Sequence, residues 1–156
     1  MCLPNAGNGL GNDMQIIKAP NPIPSFLFLA GSIEMGTAEN WQERTQKLLE
    51  ETHWIILNPR RDDWDSSWKQ DISNPQFKEQ VKWELTAMER ADCILMHFDP
   101  STKSPITLLE LGLHANGEKL VVSCPDGFWR KGNVQIVCKE YKIPLFNSLE
   151  EALENI

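Results

Sequence analysis

Five short runs in this chain are apolar at nearly every position: SFLFLAGS, WIILNP, DCILMHFD, KLVVSCP and the shorter IPLFN. A strand with one wet face alternates apolar and polar residues. These runs do not alternate, so both of their faces must be covered, as in a parallel sheet whose crossover connections lie above and below it. The stretches between them carry helical signals. Trp41, Thr45, Leu48, Leu49 and Thr52 recur at helical spacing. Asn74 followed by Pro75 forms an N-cap and first-turn pair ahead of PQFKEQVKWELTAMERA, and Ser104 followed by Pro105 does the same for PITLLELGLHA. GNVQIVCKEY reads as a fourth helix, and Ser148 with Glu151 sits at capping-box spacing ahead of a last one.

Five strands alternating with five helices predict an α/β protein, a flavodoxin-like or Rossmann-like three-layer sandwich with a five-stranded parallel sheet and helices on both faces. Residues 26–156 are expected to form a single domain. The leader, residues 1–25, is rich in Gly, Asn and Pro and reads as an irregular arm. It lacks the charged start and apolar core of a signal peptide, and no run reaches membrane-spanning length.

The net charge of −7 argues against nucleic acid or an anionic membrane as partner and leaves a small neutral molecule compatible. Cys2, Cys93, Cys124 and Cys138 form no CxxC pair, and His53, His97 and His114 are scattered, so neither a metal site nor a cofactor is expected. Cys93 and Cys124 lie in apolar strand runs, which suggests reduced, buried thiols and a cytoplasmic protein. The histidines are assigned structural roles.

Ligands of an open parallel sheet bind beyond the carboxyl ends of its strands. That rule selects Gly31 to Gly36, the Asp- and Trp-rich loop after the second strand, Asp99 to Ser104, and Pro125 to Asn133. Within the third helix, Glu110 is one carboxylate among Ile106, Leu108, Leu109, Leu111 and Leu113. If these residues wrap it, lost hydration raises its pKa and leaves a poorly solvated nucleophile. The alternative is an exposed Glu110 paired with a lysine such as Lys103. On the second helix, Phe77, Val81, Leu85 and Met88 make an apolar stripe with Glu84 at its edge and Trp83 roughly opposite. Glu84 therefore either faces the site or reaches water. Two carboxylates with Asp99 at the end of the third strand are the usual equipment for cleaving a glycosidic bond.

The motifs FLAGSIEMG, WELTAMERADCIL, SPITLLELG and GNVQIVC, in this order from about Phe26 to Pro144, resemble the nucleoside 2-deoxyribosyltransferase family. The resemblance implies a retaining double displacement. Glu110 attacks C1′ of a 2′-deoxynucleoside, a covalent deoxyribosyl intermediate forms, the free base departs, and a second base takes the sugar. It implies that Glu84 contacts the base and that Asn133 reaches the 5′-hydroxyl in a neighbouring subunit's site, hence a homo-oligomer, at least a dimer, with shared active sites. Many members carry an aspartate six residues before the nucleophile. Here that residue is Ser104, so either Asp99 takes over the base contact or Ser104 makes a neutral hydrogen bond. The related 2′-deoxynucleoside 5′-phosphate N-hydrolases share the GSI turn and use a basic residue after it. This chain has Glu34 there, which would repel a phosphate. The phosphate cradle PGGxGT of the cytokinin-type phosphoribohydrolases has no counterpart.

Gly31 and Ser32 of the first turn complete the substrate-binding set, together with Asp62 and Trp64 of NPRRDDWDSSW. A tryptophan can stack on a nucleobase and an aspartate can accept from its exocyclic amine; the alternative is a loop whose tryptophans pack on a neighbouring subunit. Arg60 and Arg61 stand beside three aspartates, which favours local ion pairs over an anion clamp. A hydrolase on the same frame and a non-catalytic nucleoside-binding module remain the alternative functions.

Overall fold

The computed structural model describes residues 15–33 and 39–156. Five parallel strands run β1 (Ser25–Gly31), β2 (Trp54–Leu57), β3 (Cys93–His97), β4 (Leu120–Ser123) and β5 (Leu145–Phe146). Between and after them come α1 (Trp41–Leu48), α2 (Pro75–Arg90), α3 (Pro105–His114), α4 (Lys131–Glu140) and α5 (Leu149–Leu153). The sheet order is β2-β1-β3-β4-β5, so the chain winds outward from β1 to β2 and then crosses back to β3. That reversal places the switch point between β1 and β3, where Gly31 pairs with His97.

Alternate residues of β1 supply two cores, which is why its sequence is apolar throughout. Phe28 and Ala30 pack with Ala87 and Met88 of α2, Leu111 of α3, and Val134 and Cys138 of α4. Leu27 and Leu29 pack on the other face with Trp41 of α1 and Leu149 and Ala152 of α5.

Local signals set the helix ends. The Asn74 side chain accepts from the Phe77 N–H at 3.0 Å and Pro75 opens α2. Ser148 accepts from the Glu151 N–H at 3.1 Å. At the other end of α2, the Lys119 ammonium donates to the carbonyls of Met88, Glu89 and Ala91 at 2.7, 3.0 and 3.1 Å, a cation where the helix dipole is negative.

The inward faces of α2 and α3 differ from the apolar stripes read in the sequence. Val81 and Leu85 are exposed, while α2 buries Gln80, Ala87 and Met88. Helix α3 buries Thr107, Glu110, Leu111 and His114 and leaves Ile106, Leu109 and Leu113 at 59%, 58% and 57% exposure. The expected wrapping of Glu110 by those three residues is therefore corrected: polar side chains turn inward and branched apolar ones outward. Gly112 has open space where a Cβ would stand, so no close approach of a neighbour requires a glycine there. Trp41, one of the helically spaced residues, is 1% exposed and anchors a core. Cys124 and Cys138 are buried free thiols, Cys93 is half-buried, and Cys2 and Glu34 lie outside the described residues.

Candidate active site

Glu110 occupies the second turn of α3 and is 8% exposed. The reading that it reaches solvent at the helix flank is thereby ruled out. Burial pushes its carboxyl up to about 8, and the charge of Glu84 adds to the shift. Glu84 lies half-buried on α2. Its pKa is raised by burial and pulled back by the hydrogen bond it accepts from Gln80. The two carboxylates are thus close enough for one charge to oppose the other, so the pair retains a proton near neutral pH.

A cluster of hydroxyls stands at the switch point beside α3. Ser32 follows β1 and is 1% exposed; its N–H donates to the His97 carbonyl at 3.3 Å, and its own carbonyl accepts from the Trp41 indole at 3.1 Å. The Ser32 hydroxyl accepts from the Asp99 N–H at 3.1 Å and from the Thr102 hydroxyl at 2.9 Å, and it bonds to the Ser104 hydroxyl. Thr102 and Ser104 close the triangle at 2.7 Å. Ser104 holds the N-cap position of α3, as the sequence reading requires, but in a left-handed conformation (φ 46°) with no side-chain cap. Its hydroxyl is turned to Ser32 and Thr102 instead.

Gly31 is needed here for space. A Cβ would stand 2.4 Å from the His97 carbonyl oxygen and 2.6 Å from the Trp41 ring. His97 itself is buried neutral, its pKa lowered to about 4 by desolvation, with Nδ1 3.0 Å from the Ser123 hydroxyl. That is a structural role, as read.

The remaining site candidates are placed differently. Asp99 sits in the loop after β3, but its carboxylate accepts from the N–H and hydroxyl of Ser101 at 2.8 and 2.7 Å, so only its main chain joins the hydroxyl cluster. Asp62 is exposed in the loop after β2. Trp64, half-buried in the same loop, meets Trp68 edge-on at 5.2 Å, and its buried indole N–H has no hydrogen-bond partner. Arg61 pairs with Asp63 through two bonds of 2.8 Å, the local ion pair expected; Arg60 donates to Gln42 at 3.5 Å. Asn133 lies on α4 and lines a groove of about 340 Å³ with Leu108, Leu111, Gly112 and Arg130. Neither Glu84 nor Glu110 lines that groove.

Two participants escaped the sequence reading. Thr102 lies in the selected loop Asp99 to Ser104 but is not singled out there, because no periodicity marks one residue of an irregular loop. Gln80 could have been found, since it stands one turn before Glu84 on the same helix face. Among the described residues no three His, Cys, Asp or Glu side chains gather as a metal site, and no helix is long and apolar enough to cross a membrane.

The fold and these residues define a class: a doubly wound α/β protein of order 2-1-3-4-5, with a buried Glu110 opposed by a half-buried Glu84, and a hydroxyl cluster at its switch point. The sequence profile of the nucleoside 2-deoxyribosyltransferase-like family matches residues 25–128, and the chain belongs to that family. Among solved structures, a conserved protein from Enterococcus faecalis V583 superposes with a TM-score of 0.58 at 13% identity, covering 85% of this chain and 96% of that one. At that identity the likeness establishes the fold. No curated protein matches the sequence.

Proposed function

We propose that this protein transfers 2-deoxyribose between nucleobases through a covalent intermediate on Glu110. The observation that carries the reading is a buried carboxylate opposed by a second one at the switch-point edge, in a chain of this family. A carboxylate oxygen of Glu110 attacks C1′ of a 2′-deoxynucleoside, the C1′–N bond breaks, and its electron pair leaves with the base. The proton that burial keeps on the carboxylate pair passes by way of Glu84 to the departing nitrogen, which leaves Glu110 ionised for the attack. A ring nitrogen of the acceptor base then attacks C1′, frees Glu110 and returns the proton to the pair.

Ser32 and Ser104 offer neutral hydrogen bonds to the bound nucleoside, Gly31 gives the chain room to turn beneath it, and Trp64 with Asp62 meets the base. Asp99 serves through its turn with Ser101 and its N–H to Ser32. Asn133 completes the site of a neighbouring copy. The outward apolar row Ile106, Leu109 and Leu113 of α3, and separately the exposed Val81 and Leu85 of α2, support such an oligomer, because apolar side chains of this kind are costly to leave in water.

The reading is tested by incubating a 2′-deoxynucleoside with a different free base and separating the products. A new deoxynucleoside formed by the wild type and not by Glu110→Ala is expected. Free deoxyribose as the dominant product would make the chain a hydrolase, and nucleoside bound without turnover would make it a binding module.

A further inference from the structure

We propose that Gln80 is a positioning residue for Glu84: its amide clamps that carboxylate to the carboxyl end of β2 and decides which oxygen is left to meet the substrate. The proposal rests on the assignment of Glu84 to the proton-transfer role.

Gln80 is 8% exposed and points inward from α2, whereas Val81 and Leu85 of the expected apolar stripe face outward. A buried primary amide must use both of its N–H groups or lose free energy. The Nε2 of Gln80 uses them on two partners, the Pro59 carbonyl at 2.8 Å and Glu84 Oε1 at 2.7 Å. Pro59 lies two residues beyond β2, at the start of the loop that carries Asp62 and Trp64. One side chain therefore ties the strand end, the loop and the acid together.

The chemical consequence follows from the geometry. A glutamate side chain has three torsions and, untethered, samples several rotamers. With Oε1 accepting from Gln80, the carboxylate is held in one orientation and Oε2 is left to exchange a proton. The same bond favours the ionised form of Glu84, whereas Glu110, its neighbour from α3, has burial and the Glu84 charge acting against ionisation. Gln80 thus biases the shared proton toward Glu110 in the resting pair.

Two measurements test the clamp. In the transfer assay, Gln80→Met keeps the side-chain volume and removes both donors. Its kcat is expected to fall on the order of 10- to 100-fold, the usual effect of a misplaced catalytic group, with KM changed by less than about twofold. The isosteric Gln80→Glu, which puts an acceptor where the donor stood, should fall likewise. In a Glu84→Gln background the Gln80→Met change should cost nothing further. An equal loss in both backgrounds, or a loss that follows only a lowered melting temperature, would overturn the proposal. The second measurement needs no turnover: carboxyl ¹³C NMR of Glu84 in Glu110→Gln protein, where the α3 charge is absent. Its titration midpoint should rise when Gln80→Met is added, and an unmoved midpoint would overturn the clamp. Failure of the wild type to transfer deoxyribose, with the NMR shift present, would refute the proposed reaction and leave the clamp standing.

Discussion

Replacing Glu110 by Gln should make the protein more stable, by an amount that grows with pH. In the unfolded chain this carboxyl ionises near 4.5, whereas in the folded chain burial and Glu84 hold its proton up to about 8. Between those values the folded state binds a proton that the unfolded state has released, so stability falls as pH rises, by 1.36 kcal/mol per unit. Below pH 4.5 the cost is absent, and above 8 it is complete. At pH 7, two and a half units into the window, the cost is about 3 kcal/mol. Glutamine has the shape of the protonated acid and does not titrate, so Glu110→Gln removes the cost. For a domain of this length that corresponds to a rise in Tm of about 6 to 12 °C. Urea unfolding of both proteins at half-unit steps from pH 5 to 8 measures it. The two curves should nearly meet at pH 5 and diverge steadily to pH 8, while the transfer activity of the variant is lost. Parallel curves would refute the claim that Glu110 is buried with its proton.

Gly31→Ala would drive a methyl group into the His97 carbonyl and the Trp41 ring. It should destabilise the fold by about 1–3 kcal/mol or more and disturb the turn at Ser32, visible as a lowered urea midpoint. Lys119→Met keeps the aliphatic stem but removes the cation from three carbonyls at the end of α2. A loss of about 1.5–3 kcal/mol is expected, with faster amide exchange in the last turn of that helix. Cys124 and Cys138 are buried and their thiols pushed up to about 11. Peptide mapping after treatment with a disulfide reagent at pH 8 should find both unmodified in folded protein and labelled in urea.

The frame of this fold is legible in the sequence because its strands are apolar on both faces, and only a covered parallel sheet accommodates such strands. Asn74 and Ser148 likewise cap their helices as the residues predict. Periodicity misplaced the faces of α2 and α3 for one reason: it assumes that every apolar residue seeks the core of its own chain. Ile106, Leu109 and Leu113 do not, and Gln80 and Glu110 take the inward positions instead. A buried polar group is stable when a partner from elsewhere meets it, and the Pro59 carbonyl that meets Gln80 lies 21 positions earlier in the chain, beyond the reach of any local pattern. Ser104 shows the same limit. Its position as N-cap was readable, but the turn of its hydroxyl toward Ser32, 72 positions away, follows from the sheet bringing β1 and β3 together.

The covalent role of Glu110 is tested most directly by intact mass spectrometry of protein mixed with a 2′-deoxynucleoside, without acceptor base, and quenched rapidly in acid. The account predicts a species heavier by one deoxyribosyl group, mapping to the peptide that contains Glu110, lost on adding acceptor base and never formed by Glu110→Ala. Transfer that proceeds with no adduct, or with an adduct on a different residue, would contradict it.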